Sequence, residues 1–433
     1  MIYVIHINMD STNVPTKSNS SLMPFTFRSF RFQWSADLGT SWAFEMETII
    51  LGWYILVETE SVFLLTVFAS LQFVGTLIAP LFGVIANRRG YRNSLCLLRA
   101  IYTAQALFLM ILAVSGMLSP IYVFAVAFIM GIFRPSDLVM RYALVGQTIP
   151  SKILTSAMSI SRLTTDSARV AGALAGAGTV ALLGMGSAYI LITSLYAASL
   201  LLSFGISKAG IENVRNTPED DTTSSRSALK DLKEVFIYTA RTPHLLIAMC
   251  IAFLVNLSAF PITAGLLPYV AKNIFQTNQT GLGYLAASFS FGAVIGSLIC
   301  ARLGNRAMSG RMIIIFCSSW YMLLLLFSQS STLETAIPIL ILAGSACCLG
   351  LVPMSAMLVR TSNVNFRGGI LGLRTLSVYG LPIGLLISSP LISSVGYEIM
   401  AIIYSLFGLA VIALIMLFWH KHIWAVDSPP NIR

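Results

Sequence analysis

Apolar and polar stretches alternate regularly along this chain between residues 34 and 419. A helix needs about 20 apolar residues to cross a bilayer core of about 30 Å. Twelve stretches meet that requirement, and they cover residues 34–57, 62–86, 95–115, 119–145, 155–182, 186–206, 244–271, 281–301, 311–328, 334–358, 369–394 and 398–419. The pattern therefore predicts an all-α polytopic membrane protein whose twelve transmembrane helices are called spans one to twelve.

Positive charge is confined to one side of this predicted arrangement. Of the 27 Lys and Arg residues, only Lys272 falls in an odd-numbered gap between spans. Lysine and arginine collect on the cytoplasmic side of membrane proteins. We therefore expect both termini in the cytoplasm and a plasma-membrane location, most simply a bacterial inner membrane. Anionic lipid headgroups explain the net charge of +10 better than nucleic acid does.

The longest polar interruption, 207–243, divides the chain into two halves of six spans. Its first part has the composition of a flexible linker, and residues 227–241 have the spacing of an amphipathic helix on the inner membrane face or of an ordinary surface helix. The predicted units are a disordered cytoplasmic tail at 1–31, bundles at 32–206 and 244–419, the connector at 207–243 and a tail at 420–433.

The two halves show a weak internal repeat. A shift of 212 positions places Arg162 on Arg374 and Gly172 on Gly384. Six-span repeats around a site at the middle of the membrane are typical of secondary transporters. We expect two pseudo-repeat bundles.

Charged residues inside the spans mark the candidate site, because each costs about 2.5–3.5 kcal/mol at the bilayer centre. They are concentrated in the first half: Asp37, Glu45 and Glu47 in span one; Arg134, Asp137 and Arg141 in span four; and Arg162, Asp166 and Arg169 in span five. The three residues in span four share one helix stripe, as do the three in span five.

Spans four and five run in opposite directions, so Asp137 and Asp166 are expected to lie between arginines of both helices. Such a ladder of Arg141, Arg162 and Arg169 with the two aspartates has two interpretations. It either locks the helix packing or forms an inner gate that opens and closes during transport.

Glu45 and Glu47 are separated by about 200° around a helix, so only one can face a central cavity squarely. Asp37 lies within about 80° of Glu45. A carboxylate opposite Arg134 can alternate between a protonated and an ion-paired state, which is what proton coupling requires. A fixed ion pair and a substrate contact are the alternative interpretations.

Other chemistry is sparse. Phe253, Asn256 and Phe260 form an i, i+3, i+7 stripe that suits an amphipathic ligand, although packing is the default interpretation. The glycines of the run Gly172–Gly178 allow close helix approach. The sequence contains no nucleotide-binding loop and no metal-ligand spacing, and the six cysteines are interpreted as packing residues. We expect no cofactor, no metal, no enzymatic activity and a monomer.

The gap after span two resembles a loop motif of the major facilitator superfamily. That motif has the pattern Gly-x-x-x-Asp-Arg-x-Gly-Arg-Arg, which Gly83, Arg88, Gly90 and Arg92 match while Asn87 stands at the Asp position. Further segments resemble the branch of enterobactin-exporter-like and macrolide-efflux-like transporters: 51–53, 133–135, 168–172 and 229–243. The resemblance covers about residues 27–419.

This resemblance implies a function. Drug–proton antiporters of the superfamily use acids in helix one and an Arg in helix four, where this chain has Glu45, Glu47 and Arg134. We expect a proton-coupled antiporter that exports small amphipathic or hydrophobic compounds, drug-like or siderophore-like, by alternating access. Proton-coupled import of a small metabolite and a non-transporting scaffold or sensor are the alternatives.

Overall fold

The computed structural model describes residues 20–79, 82, 86, 89–207, 225–303, 310–363 and 366–425. These residues are almost entirely helical and contain no strand. We label the membrane helices α1 to α12, so that each carries the number of its predicted span. Their bounds are Arg28–Thr59 for α1, Val62–Leu71 for the regular part of α2, Tyr91–Val114 for α3, Pro120–Thr148 for α4, Gln279–Leu303 for α8, Gly310–Ser328 for α9 and Leu333–Thr361 for α10.

Two glycines divide long helices at predicted gaps. Ser151–Phe204 is broken at Gly184, where φ is 80°, into α5 (151–183) and α6 (185–204). The helix ending at Ala425 is broken at Gly396, where φ is 85°, and α12 follows the break. Positive φ is a conformation that glycine adopts without steric cost. Helix α11 begins at Arg367 and runs up to the second break.

Helix α7 is the least regular membrane helix. It begins with Pro243–Leu254 and continues through π-helical turns at Val255–Ala259, Pro261–Gly265 and Val270–Ile274. A π turn closes i to i+5 hydrogen bonds, so it inserts residues relative to the α-helical spacing.

Apolar length agrees with the spans predicted from the sequence. Seven helices within the described residues are long and apolar enough to cross a membrane, and two of the seven contain a glycine break and hence two spans each. Helix α7 also meets this test when Pro243–Ala259 is counted together with the preceding helical segment Lys233–Arg241. Helix α1, which carries four carboxylates, and the incompletely described α2 complete the twelve. The prediction of an all-α polytopic protein is confirmed.

Each half has its own hydrophobic core. One cluster of buried side chains is built from α1 to α6, between Ala43 and Ile206. Another runs through the second half from Val235 to Ile415 and includes Ala173 of α5. Helix α5 therefore reaches the core of the other bundle.

The bundles meet along α5 with α8 and along α2 with α11. A Cβ placed on Gly283 of α8 would lie 2.6 Å from the Cβ of Ala177 in α5. The Tyr379 hydroxyl of α11 donates to the Val74 carbonyl, 3.3 Å away in α2. Lys272 Nζ donates to the Leu56 carbonyl at 3.4 Å, which joins the ends of α7 and α1.

The predicted disordered tail at 1–31 needs correction. Residues 1–19 lie outside the described residues, but Ser20–Thr26 form a 3₁₀ helix and α1 begins at Arg28. The ring of Phe25 packs edge-on against Phe30 at 5.3 Å and against Trp34 at 5.1 Å. Burial of these aromatic rings orders the segment that precedes the membrane helix.

A helix over Ser225–Arg241, called the surface helix below, occupies the second part of the connector. It bends by 106° into α7. Val235 and Thr239 are buried, whereas Phe236 and Ile237 are exposed. Tyr238 stacks on Phe366 at 4.8 Å, so the helix packs against the second bundle. The predicted amphipathic helix is present, and the linker before it lies outside the described residues.

Candidate functional site

The carboxylate of Glu45 lies between arginines of two other helices. Glu45 Oε1 is 3.5 Å from Arg134 Nη2 of α4 and 3.7 Å from Arg169 Nε of α5. The exposed fractions of these side chains are 18% for Glu45, 33% for Arg134 and 49% for Arg169. A single carboxylate therefore links three helices at a partly exposed position.

Arg134 is oriented by two further neighbours. Its Nη1 donates a 2.9 Å hydrogen bond to Oε1 of Gln72 in α2. Its guanidinium carbon lies 3.3 Å from the ring centroid of Phe44 in α1. A guanidinium over an aromatic face is attracted by the ring quadrupole, so Arg134 has a defined position even without Glu45.

Close packing of α5 on α1 places Glu45 within reach of Arg169. A Cβ on Gly172 would lie 2.8 Å from Glu45 Cβ, and a Cβ on Gly176 would lie 2.9 Å from Met46 Cα. The small residues therefore permit a helix approach that larger side chains would prevent.

Glu47 points elsewhere. It is 4% exposed, and the Tyr196 hydroxyl of α6 donates to its Oε2 at 3.0 Å. Its other oxygen has no hydrogen-bond partner within the described residues. Of the two glutamates, Glu45 faces the arginines and Glu47 is enclosed in the first bundle, as their angular separation predicts.

Asp37 belongs to a separate buried network. Arg99 of α3 pairs with Asp37 and donates to Ser203 of α6. Arg141 of α4 lies with its Nε 3.5 Å from Asp37 Oδ1 and its Nη2 2.6 Å from Asp137 Oδ2. Eight residues separate Asp37 from Glu45 by about 12 Å along the helix, so the structure does not bring these carboxylates together.

Arg99 was not among the candidate site residues predicted from the sequence. An arginine in an apolar span requires a carboxylate partner, which was the available signal. Its partner could not be identified because α3 and α1 are 62 positions apart at this contact.

The predicted ladder between α4 and α5 is wrong in its pairing. Asp166 Oδ2 is 3.1 Å from Arg162 Nε, and its Oδ1 is 4.0 Å from Arg169 Nη1, all within α5. Asp137 likewise pairs with Arg141 of its own helix. Among the described residues no ion pair joins α4 directly to α5. Spacings of three and four residues let each aspartate reach an arginine on its own helix, and α1 supplies the cross-helix carboxylates.

The loop motif is described only in part. Gly83, Asn87 and Arg88 lie outside the described residues. Gly90 precedes α3 with φ 85°, a conformation that favours glycine. Arg92 Nη2 donates to the Phe204 carbonyl at 2.8 Å, which ties the start of α3 to the end of α6.

Comparison with known proteins identifies the family. A family model described as transmembrane secretion effector, of the major facilitator superfamily, matches residues 19–424. The chain belongs to this family. It is therefore a membrane transporter rather than an enzyme.

Solved structures show the same fold at low identity. A nucleoside transporter NupG has a TM-score of 0.67 and 14% identity over 90% of this chain and 98% of its own. A POT family transporter in complex with 5-aminolevulinic acid has a TM-score of 0.68 and 13% identity, covering 92% and 97%. A bacterial homolog of the human lysosomal transporter Spinster, inward-facing and unoccupied, has a TM-score of 0.64 and 11% identity, covering 96% and 100%. No curated protein matches the sequence.

The charged stripe of α5 in this transporter faces the second bundle. Ala173 and Ala177 continue the stripe of Arg162, Asp166 and Arg169 at helical spacing, and both lie against Gly283 of α8. Arg374 has no ion-pair partner within the described part of the chain, and its Nε makes no hydrogen bond there. The stripe itself carries two arginines and one carboxylate.

The three residues of the predicted ligand stripe on α7 do not lie on one face of the helix. Phe253 lines a groove beside the surface helix, and Asn256 Nδ2 donates to the Ala252 carbonyl of its own helix at 2.8 Å. Phe260 packs edge-on against Trp320 at 4.9 Å inside the second bundle. The π-helical turn at Val255–Ala259 shifts the register, so the α-helical spacing fails here.

No cluster of three or more His, Cys, Asp or Glu side chains that could hold a metal ion occurs within the residues that the structure describes.

Proposed function

We propose that this transporter exports small amphipathic compounds, drug-like or siderophore-like, in exchange for protons. The proposal depends most on one observation, the position of Glu45 between Arg134 and Arg169. The family description, transmembrane secretion effector, supports the outward direction.

Protonation of Glu45 supplies the coupling. The ionised carboxylate ties α1 to α4 and α5 through its two arginines. A proton on Glu45 removes its charge and leaves Arg134 and Arg169 without a carboxylate between them, so they repel each other and the α5 stripe can shift at its contact with the second bundle. In the proposed cycle a proton taken up on the outside is released inside when the ion pairs form again, and the compound moves on the opposite leg.

The other charged groups have two different roles in this proposal. One group is buried and stabilises the first bundle in every state; it consists of Asp37, Arg99, Arg141 and Asp137. Arg162, Asp166 and Arg169 face the second bundle, and we assign them to the inner gate. The first group lies within the first bundle, which moves as one unit. The second group lies at the contact between the two bundles, which must separate during transport.

A second candidate function is import of an organic anion together with a proton. Three arginines (Arg134, Arg162 and Arg169) are linked by ion pairs to only two carboxylates, Glu45 and Asp166. An anion held by Arg134 and Arg169 competes with ionised Glu45 and therefore binds best when Glu45 is protonated. Such joint binding of anion and proton is symport, whereas exchange requires that they bind in turn.

Transport of matched probes distinguishes the two functions. Dansylamide is neutral and dansylglycine is anionic, and they share one ring system. The exporter proposal predicts that inside-out vesicles with an acidic lumen accumulate dansylamide and lose it when a protonophore is added. Accumulation of dansylglycine in right-side-out vesicles with an acidic exterior would instead establish the import function. Uptake of neither probe above that of protein-free vesicles would count against both.

We further propose the cellular setting. The charge asymmetry supports a plasma-membrane protein with both termini in the cytoplasm, and the separate cores support two bundles that act as moving units within a monomer. Packing of the surface helix on the second bundle supports placing it with that bundle rather than with the linker.

A further inference from the structure

An apolar groove of about 480 Å³ lies beneath the surface helix, away from the charged site. The second half of the chain forms all of it, through the surface helix, α7, α11 and α12. Its lining includes Phe236, Thr239, Phe253, Leu376 and Phe407. This volume is in the range of pockets that hold small organic ligands.

The groove opens toward the lipid. Phe236, Phe253 and Phe407 line it and are all exposed, and exposed apolar side chains of membrane helices face the acyl chains. Along α7 the lining extends from Leu246 to Leu257, a rise of about 16 Å. That is about half of a 30 Å bilayer core, the depth of one leaflet.

One end of the groove is polar. Thr239 is 2% exposed, and its hydroxyl has no hydrogen-bond partner within the described residues. A buried hydroxyl without a partner is unfavourable, so the groove favours an occupant that offers an acceptor when the Thr239 side chain rotates toward it. An apolar chain with a polar ester at its end satisfies both parts of the lining.

The surface helix also carries cations that favour an anionic headgroup. Lys233 and Arg241 of the surface helix are exposed, and Glu234 is the acidic side chain described on the same helix. The perpendicular bend between this helix and α7 keeps these cations at the level of the headgroups. Basic residues near an anionic membrane surface are attracted to its headgroups.

We propose that the groove binds one anionic phospholipid of the inner leaflet. One acyl chain lies along α7 against α11 and α12, Thr239 donates a hydrogen bond to an ester carbonyl, and Lys233 and Arg241 attract the phosphate. The lipid holds the surface helix against the second bundle. This site is independent of the transport proposal, since no residue of the charged cluster takes part.

Native mass spectrometry of the full-length protein in detergent tests this site, with phosphatidylglycerol and phosphatidylcholine as probes. One phosphatidylglycerol is expected to bind about tenfold more tightly than phosphatidylcholine. Thr239→Val keeps the side-chain shape and should weaken binding of both lipids by up to about tenfold. Ala240→Trp fills the groove and should abolish tight binding. Neutralising Lys233 and Arg241 to Gln should remove the preference for phosphatidylglycerol.

The matched control is Leu201→Trp, at an exposed apolar position near the end of α6 in the other bundle. It should leave lipid binding unchanged. Equal affinity for the two lipids, full binding by both Thr239→Val and Ala240→Trp, or equal loss with Leu201→Trp would each overturn the proposal.

Discussion

Two glutamates on one turn of α1 have opposite surroundings. Glu45 is partly exposed between two arginines, whereas Glu47 is buried beside a tyrosine hydroxyl. The two side chains differ in position and not in chemistry, which makes them matched test positions for proton coupling.

Glu45→Gln should abolish transport driven by a pH gradient because the amide cannot take up and release a proton. Exchange of labelled for unlabelled dansylamide at equal pH should continue, since it needs no net proton movement. Both activities can be measured in proteoliposomes.

Glu47→Gln is the control for that measurement. The amide can still accept the Tyr196 hydrogen bond, so gradient-driven transport should persist. Loss of gradient-driven transport in Glu47→Gln with retention in Glu45→Gln would reverse the assignment.

The buried network around Asp37 should matter for stability. Asp37→Asn leaves fully buried Arg99 without its carboxylate, and breaking a buried ion pair from one side costs about 3–5 kcal/mol. The melting temperature in detergent should fall much further than in Glu45→Gln, whose arginines are partly exposed. Equal melting temperatures for the two variants would contradict a bracing role.

At the level of elements, α5 packs on α1 through glycines that differ in how much space surrounds them. Gly176→Val should destabilise the protein by about 1–3 kcal/mol, because any Cβ would meet the α1 backbone at 2.9 Å from Met46 Cα. Thermal unfolding in detergent measures the effect.

Gly178→Ala is the matched control two residues along. A Cβ there has no atom within 4 Å, and alanine favours a helix more than glycine does. Stability should therefore stay equal or rise. A similar loss in both variants would contradict the close contact of Gly176 with α1 as the cause of the loss.

The helices themselves were largely predictable from the sequence. Bilayer thickness fixes how long an apolar stretch must be, so the predicted gaps fall at Gly184 and Gly396 where the long helices break. The π turns of α7 were not predictable, because local composition gives no sign of an inserted residue. The predicted stripe through Phe253 and Phe260 failed for that reason.

The sequence was a better guide to which residues belong to the site than to which of them form ion pairs. Membrane depth makes every charge costly, so Glu45, Arg134 and Arg169 stood out. Pairing depends on how helices rotate and pack, which one sequence does not specify. Asp166 therefore pairs with an arginine of its own helix, α5, and Asp37 pairs with Arg99 of α3.

At the scale of the molecule, alternating access requires that the two bundles separate along α5 and α8. Ala177→Cys with Gly283→Cys should form a disulfide once α5 and α8 move apart by about 1 Å, because the two Cβ atoms would lie 2.6 Å apart here and a disulfide needs about 3.5–4.5 Å. Oxidation should stop dansylamide transport, and a reductant should restore it. Each single variant should be insensitive to oxidation. Full transport by the oxidised double variant would contradict movement along this contact.

The central claim is that Glu45 carries the coupled proton. The most direct measurement adds dansylamide to inside-out proteoliposomes with an acidic lumen that holds the pH indicator pyranine. The native transporter should move protons out of the lumen as the probe enters, and Glu45→Gln should move none while still exchanging labelled probe. Equal proton movement by the native protein and Glu45→Gln would contradict the claim.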